Sequence, residues 1–280
     1  MKKLYGVIGN PIGHSMSPDI HNASLKDLGL DGHYHAFKVE ENDLEDAVKG
    51  IRALGVQGIN VTVPHKVSIM DYLDHIDESA KVLGAVNTVR REGDKLVGYN
   101  TDGEGFVKSL MKVLDKPISE LSFLMIGAGG AARAIFTTIV RNTPKKFDIC
   151  NRTLEKAKRL TEATPSFHNK EVLSIKEAEE RLEQYDVIIH TTSVGMYPNV
   201  DDVPLSLQRA ASSAVVCDIV YNPIQTALLK EASQKGLKTL DGVGMFVEQA
   251  ALSFQLWTGQ EPDIEKMRSI VTGKLGGTEC

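Results

Sequence analysis

The chain has 280 residues, 42% of them apolar, and a formal net charge of −5. That length admits one large domain or two ordinary ones, each able to bury a sizeable core. Acidic and basic residues are mixed, with no long basic block, which argues against nucleic acid and against a charged membrane surface as partners.

Strand-like and helix-like stretches then alternate, the pattern of an α/β fold. "MKKLYGVIGNPIGHS" has too short an apolar run for a signal peptide and reads as a first strand. Ser17-Pro18 predicts a helix start, with Ser17 as N-cap and Pro18 at the first helical position, and an end near Gly29. "YHAFKV" alternates like a strand. "NDLEDAVKGIRAL" has helical spacing, with Leu44, Val48, Ile51 and Ala47 on one face. "GINVTV" is the next strand, and "AVNTVRREGDKLVGYN" reads as a hairpin around an Arg-Glu-Gly-Asp turn. A helix follows over 103–114.

The texture changes after Pro117. "LSFLMIGAGGAARAIFTTIV" is a buried strand, a glycine turn and an apolar helix. "KFDICNR", "YDVIIHTTS" and "AVVCDIVY" are the continuous apolar strands of a parallel sheet covered on both faces. "GMFVEQAALSFQLWTG" and "DIEKMRSIV" read as two closing helices. No apolar run approaches the roughly 20 residues of a membrane helix. The expectation is two α/β domains in a soluble, cytoplasmic protein. The Asn-x-Ser/Thr triplets at Asn22, Asn60 and Asn151 then mean nothing for glycosylation.

Gly127-Ala128-Gly129-Gly130-Ala131-Ala132 fits Gly-x-Gly-x-x-Gly/Ala, with a strand before it and a helix after it. Gly127 would permit the tight turn, and Gly129 the approach of backbone to a pyrophosphate held at the helix N-terminus. The next strand runs into Asn151-Arg152-Thr153, with Lys156 one turn on. The carboxylate that an NAD site often places there is missing, and Arg152 suits a 2′-phosphate, so NADP is expected rather than NAD. Glu155 stands against this charge argument, and a basic helix start capped by Thr153 is the structural alternative.

For the chemistry, no metal constellation presents itself. His33 and His35 share a strand face without a third ligand, so a packed or exposed pair is expected. Cys150, Cys217 and Cys280 form no Cys-x-x-Cys pair and have no evident catalytic context. What remains are polar residues at strand ends: Ser15, Ser17, Asn60, Thr62, Lys66, Asn87, Thr101 and Asp102. Ligands of α/β domains gather at strand carboxyl ends, and hydroxyls, amides, one lysine and one aspartate suit a small polyhydroxy substrate. Each residue taken singly is also an ordinary cap or turn residue.

The segments "GNPIGHSMSP", "GINVTVPHK", "GAVNT", "GYNTDGEGF", "IGAGGAARA", "NRT", "TTSVGM", "DIVYNP" and "DGVGMFVEQAA" resemble, in order, those of the shikimate dehydrogenase family. The resemblance covers nearly the whole chain; "NVTVPHK" with "NTDGxG" is its most specific part. It implies an N-terminal substrate domain over 1–101 plus 242–280 and a Rossmann-type NADP-binding domain over 102–241, with the C-terminal helices returning to the first domain. It implies reversible NADPH-dependent reduction of 3-dehydroshikimate to shikimate in aromatic amino acid biosynthesis, by a monomer or homodimer. By resemblance Lys66 and Asp102 are the catalytic pair, with Lys66 acting either as acid and base or mainly as an electrostatic anchor. Ser15, Ser17, Asn60, Thr62, Asn87, Tyr221 and Gln249 are implied substrate contacts. Gly127, Ala128, Gly129, Gly130, Ala131, Asn151, Arg152, Thr153 and Lys156 are implied cofactor contacts, with Glu78, Ile219 and Gly242 near the cofactor or substrate edge. Thr191 and Met196 are further candidates. His65 has no role in this reading. The alternatives are a quinate/shikimate dehydrogenase of broader specificity and a non-catalytic NADP-binding regulatory protein.

Overall fold

The computed structural model describes residues 2–162, 164 and 166–276; Cys280 lies outside the described residues. The chain divides into two compact units, Met1–Thr101 with Gln249–Lys274, and Asp102–Glu248 with Leu275–Cys280.

The first unit contains β1 (Lys3–Gly9), α1 (Ser17–Asp27), β2 (Gly32–Lys38), α2 (Leu44–Ala53), β3 (Gly58–Val61), β4 (His75–Ile76), a short α3 (Glu78–Lys81), β5 (Thr88–Glu92) and β6 (Lys95–Tyr99). Its sheet has the order β2-β1-β3-β5-β6-β4. It is mixed: β5 runs antiparallel to β3 and β6, while the other neighbours are parallel. Strand residues alternate between two apolar layers. Ile8, Ile59 and Val61 pack with Leu44, Val48 and Ile51 of α2 on one side, and Tyr5, Val7 and Tyr34 pack with Leu25 and Phe254 on the other. Each such side chain contributes roughly 1.5–3 kcal/mol when fully buried.

One expected cap is corrected. The N-cap of α1 is Met16, and Ser17 is already the first helical residue. The Ser17 amide donates to the hydroxyl of Ser15 at 3.3 Å, and the Ser17 side chain bonds Tyr34. Ser15 therefore supplies the oxygen that serves the helix start, leaving the Ser17 hydroxyl for tertiary contact.

The second unit contains α4 (Asp102–Met111), β7 (Ser122–Ile126), α5 (Gly130–Val140), β8 (Lys146–Cys150), α6 (Leu154–Glu162), β9 (Val172–Leu173), α7 (Ile175–Glu180), β10 (Val187–His190), β11 (Val215–Asp218), α8 (Ala227–Gln234) and β12 (Lys238–Leu240). Its sheet, of order β12-β11-β10-β7-β8-β9, is parallel throughout. This is the doubly wound Rossmann arrangement, whose order reverses between β7 and β10. Period two explains the unbroken apolar runs. Phe123, Met125, Val187 and Ile189 pack on the layer with Phe136 and Ile139 of α5; Leu124, Ile126 and Ile188 pack on the layer with Leu182, Leu228 and Leu229.

Two helices close the chain, α9 (Gly242–Thr258) and α10 (Ile264–Gly276). The first unit resumes at Gln249, inside α9. Gly242 is tied to the second unit by a close backbone approach. A Cβ at that position would lie 2.4 Å from the carbonyl oxygen of Ile219.

Candidate active site

In the first unit the carboxyl ends of β1, β3 and β6 and the amino end of β5 lie along one edge of the sheet, since Asn60 pairs with Thr88 and Thr88 with Tyr99. Ser15 and Ser17 follow β1, Thr62 and Lys66 follow β3, Asn87 precedes β5, and Thr101 follows β6. The loops at this edge are knitted by main-chain bonds. The Thr62 amide donates to Ile8 O, the Asn10 amide to Val63 O, and the Val86 amide to Lys66 O at 2.7 Å. Lys66 and Thr62 are half-buried.

A buried polar network joins several of the expected substrate residues. Tyr34 takes a hydrogen bond from Ser17 and donates its own hydroxyl to Asn60 Oδ1 at 2.8 Å. The Asn60 amide nitrogen reaches Thr88 Oγ1 at 3.2 Å and Ser253 Oγ at 3.1 Å. The Thr88 hydroxyl donates to Asn87 Oδ1 at 2.8 Å, and the Asn87 amide nitrogen reaches Thr101 Oγ1 at 2.9 Å. The Asn87 amide nitrogen also lies 3.5 Å from Gln249 Oε1. Buried polar groups of this kind are stable only when paired, and pairing fixes their orientation. Sequence reasoning missed Tyr34, Thr88 and Ser253. A serine on the buried side of the largely apolar "AALSFQLW" is the signal that points to Ser253.

His65 is fully buried, and its Nε2 donates to the Val39 carbonyl at 2.8 Å. The histidine thus anchors the β3 exit turn to the residue after β2, while Lys66 next to it stays accessible. Glu78 is an exposed residue at the start of α3 in this same unit. His33 and His35 are exposed, their rings 6.5 Å apart.

In the second unit Gly127 follows β7 with φ +116°, and a Cβ there would lie 2.5 Å from Thr191 Oγ1, so both conformation and space require glycine. Gly129 and Gly130 face open space, and the α5 N-terminus has no side-chain cap. Its free N–H groups and dipole suit a pyrophosphate, and the bare glycines leave room for one. Ala128 and Ala131 complete the turn, half-buried. At the neighbouring β8 exit, Arg152, Thr153 and Lys156 are exposed, and the Asn151 side chain donates to Thr153 O at 2.7 Å. Glu155 faces Arg159 at 3.6 Å, so the carboxylate that stood against an anion site has its own partner. These residues fit NADP. Further along, Ile219 and Tyr221 follow β11, with the Tyr221 ring 5.1 Å from that of Phe246; burial pushes the Tyr221 hydroxyl above its usual value. Asp102 is the buried first residue of α4.

Burial pushes the Cys150 thiol up to about 12 and the Cys217 thiol higher still, leaving both in the inert protonated form. Among the described residues, no group of three or more His, Cys, Asp or Glu is arranged to hold a metal, and no helix is long and apolar enough to cross a membrane.

Known proteins match the whole chain. Residues 7–89 match the shikimate dehydrogenase substrate binding domain, residues 109–231 the shikimate/quinate 5-dehydrogenase model, and residues 242–272 the shikimate 5′-dehydrogenase C-terminal domain. The shikimate dehydrogenase (NADP(+)) of Bacillus subtilis (strain 168) is 99% identical over 280 residues, 100% of both chains. A solved shikimate dehydrogenase in complex with NADP+ is 40% identical with a TM-score of 0.92, over 98% of this chain and 96% of that one. The enzyme of Thermus thermophilus, solved with NADP(H) and shikimate, is 32% identical with a TM-score of 0.87, over 97% of this chain and 99% of that one.

Proposed function

The chain belongs to the shikimate dehydrogenase family, and from that premise we propose that it reduces 3-dehydroshikimate reversibly to shikimate with NADPH, in the cytoplasm, as a step of aromatic amino acid biosynthesis. The observation that carries this reading is the 99% identity, over the full length of both chains, to a relative named for that reaction. Within each unit the side chains suit their part.

NADPH when bound supplies the hydride that reaches the keto carbon. On this reading the Gly127–Ala131 turn and the α5 N-terminus hold the pyrophosphate, and Arg152, Thr153 and Lys156 hold the 2′-phosphate. Ser15, Ser17, Thr62, Asn87, Tyr221 and Gln249 hold the substrate hydroxyls and carboxylate. Asn60 orients its neighbours from within the network. The Lys66 ammonium stabilises negative charge growing on the carbonyl oxygen and donates the proton; in the oxidative direction the neutral amine takes it back. Asp102 is the acceptor that orients Lys66. Ile219 and Gly242 shape the cofactor edge through backbone packing.

The test is the change in absorbance of the reduced nicotinamide, NADPH or NADH, with shikimate or quinate as reductant and NADP or NAD as oxidant. Turnover of shikimate with NADP is expected to dominate. The family model for residues 109–231 is described for shikimate and quinate alike, which makes quinate the informative competitor. Equal turnover of quinate with NAD would establish the broader enzyme instead. Nucleotide binding without any turnover would mark a regulatory protein. Light scattering of the same sample distinguishes a monomer from a homodimer.

A further inference from the structure

His190 and Asp218 end neighbouring strands of the second unit and are register partners. Both lie in the interior, 0% and 1% exposed, with His190 Nδ1 3.0 Å from Asp218 Oδ1. Asp218 also accepts the Val220 amide at 2.9 Å and the Thr226 hydroxyl at 2.7 Å. On its other side His190 Nε2 lies 2.5 Å from Thr192 Oγ1, which in turn accepts the Val194 amide at 3.2 Å. A continuous hydrogen-bonded chain thus runs from the start of α8, through the two strand ends, into the loop after β10.

That loop borders the glycine turn. The Thr191 hydroxyl donates to Ile126 O at 2.8 Å, and a Cβ on Gly127 would come within 2.8 Å of Thr192 Cγ2. β7 and β10 are the adjacent strands at which the sheet order reverses, the place where a dinucleotide lies in such sheets. Two buried polar side chains among apolar neighbours cost stability unless every polar atom is paired, and both ring nitrogens and both carboxylate oxygens are paired here. An apolar pair would fill the same space but would remove the Thr192 hydroxyl's partner on the histidine side. The acid–base chemistry assigned to Lys66 and Asp102 makes no use of this pair.

We propose that Asp218 and His190 are positioning residues for the cofactor: through Thr192 they hold the β10 exit loop against the glycine turn, seating the pyrophosphate and nicotinamide part of the dinucleotide. This rests on the NADP-binding reading above. Removing His190 would leave the buried Asp218 carboxylate short of a partner and threatens the fold, so the test uses Thr192→Val and Thr192→Ser. Affinity is measured for NADPH and for adenosine 2′,5′-bisphosphate, which carries only the half assigned to Arg152. Thr192→Val is expected to weaken NADPH about five- to tenfold, as for loss of one net hydrogen bond, while the bisphosphate stays within about twofold. Thr192→Ser should restore the NADPH value. Equal weakening of both ligands, or no change in either, overturns the proposal. Turnover of shikimate by the unaltered protein is scored separately, so failure of the functional reading is told apart from failure of this one.

Discussion

The side-chain amide of Asn22 holds the main chain of Tyr34 on both sides: Nδ2 donates to Tyr34 O at 2.8 Å, and Oδ1 accepts the Tyr34 amide at 2.9 Å. β2 is an edge strand, and at Tyr34 the amide stands in for the missing neighbour. Asn22→Leu leaves a donor and an acceptor unpaired next to a buried aromatic. A loss of about 1–3 kcal/mol is expected in urea unfolding, from the cost of unpaired polar groups. The opened edge should also raise the apparent mass at high concentration in size-exclusion chromatography. A variant as stable and as monodisperse as the parent would refute the edge role.

Lys66 and His65 are neighbours with separable roles. Lys66→Ala should lower kcat by roughly 10²–10⁴-fold at unchanged melting temperature, as for loss of one acid–base group. His65→Leu should do the reverse, costing about 1–3 kcal/mol of stability through the Val39 carbonyl with a smaller change in kcat. Steady-state kinetics alongside thermal unfolding separates them, and a kcat loss in His65→Leu equal to that of Lys66→Ala would undo the assignment.

Arg152 has no carboxylate partner among the described residues, while Glu155 is turned to Arg159. Arg152→Ala should raise KM for NADPH by about tenfold or more, as for loss of one charge-assisted contact. KM for dehydroshikimate should barely move. A parallel rise in both KM values would count against recognition of the 2′-phosphate.

His21 sits in an aromatic box, its ring 4.4 Å from Tyr34 and 5.3 Å from Trp257, with neither ring nitrogen hydrogen-bonded. Burial lowers its pKa from 6.5 to about 3. Between those values the unfolded chain binds a proton that the folded one refuses. The contribution is therefore whole above about pH 6.5 and is lost as the pH falls toward 3, by up to about 1.4 kcal/mol per pH unit. His21→Phe should flatten this slope in urea titrations at about pH 7 and pH 5. Identical slopes in the two proteins would place the acid sensitivity elsewhere.

Strand exits are legible in the sequence because their polar residues interrupt apolar runs: Asn60, Lys66, Asn87 and the Gly127 turn all stand out this way. The α1 cap was not legible. Ser15 and Ser17 are both good caps by composition, and only the contact with Tyr34 decides between them. His190 and Asp218 are hidden for a similar reason. Each is the single polar residue closing an apolar strand, and only the parallel register makes them partners. His65 looks like a base in the sequence, and its burial against Val39 makes it an anchor.

The network around Asn60 has a temporal side. Gln249 and Ser253 belong to α9, yet they complete contacts with Asn60, Asn87 and Thr88, which precede them by most of the chain. A nascent chain that has emerged through β12 holds every strand of the first unit but lacks both residues. On the roles proposed for Asn87 and Gln249, the substrate end is finished only once α9 has been made, so a chain stalled or truncated before α9 lacks the ability to grip its substrate.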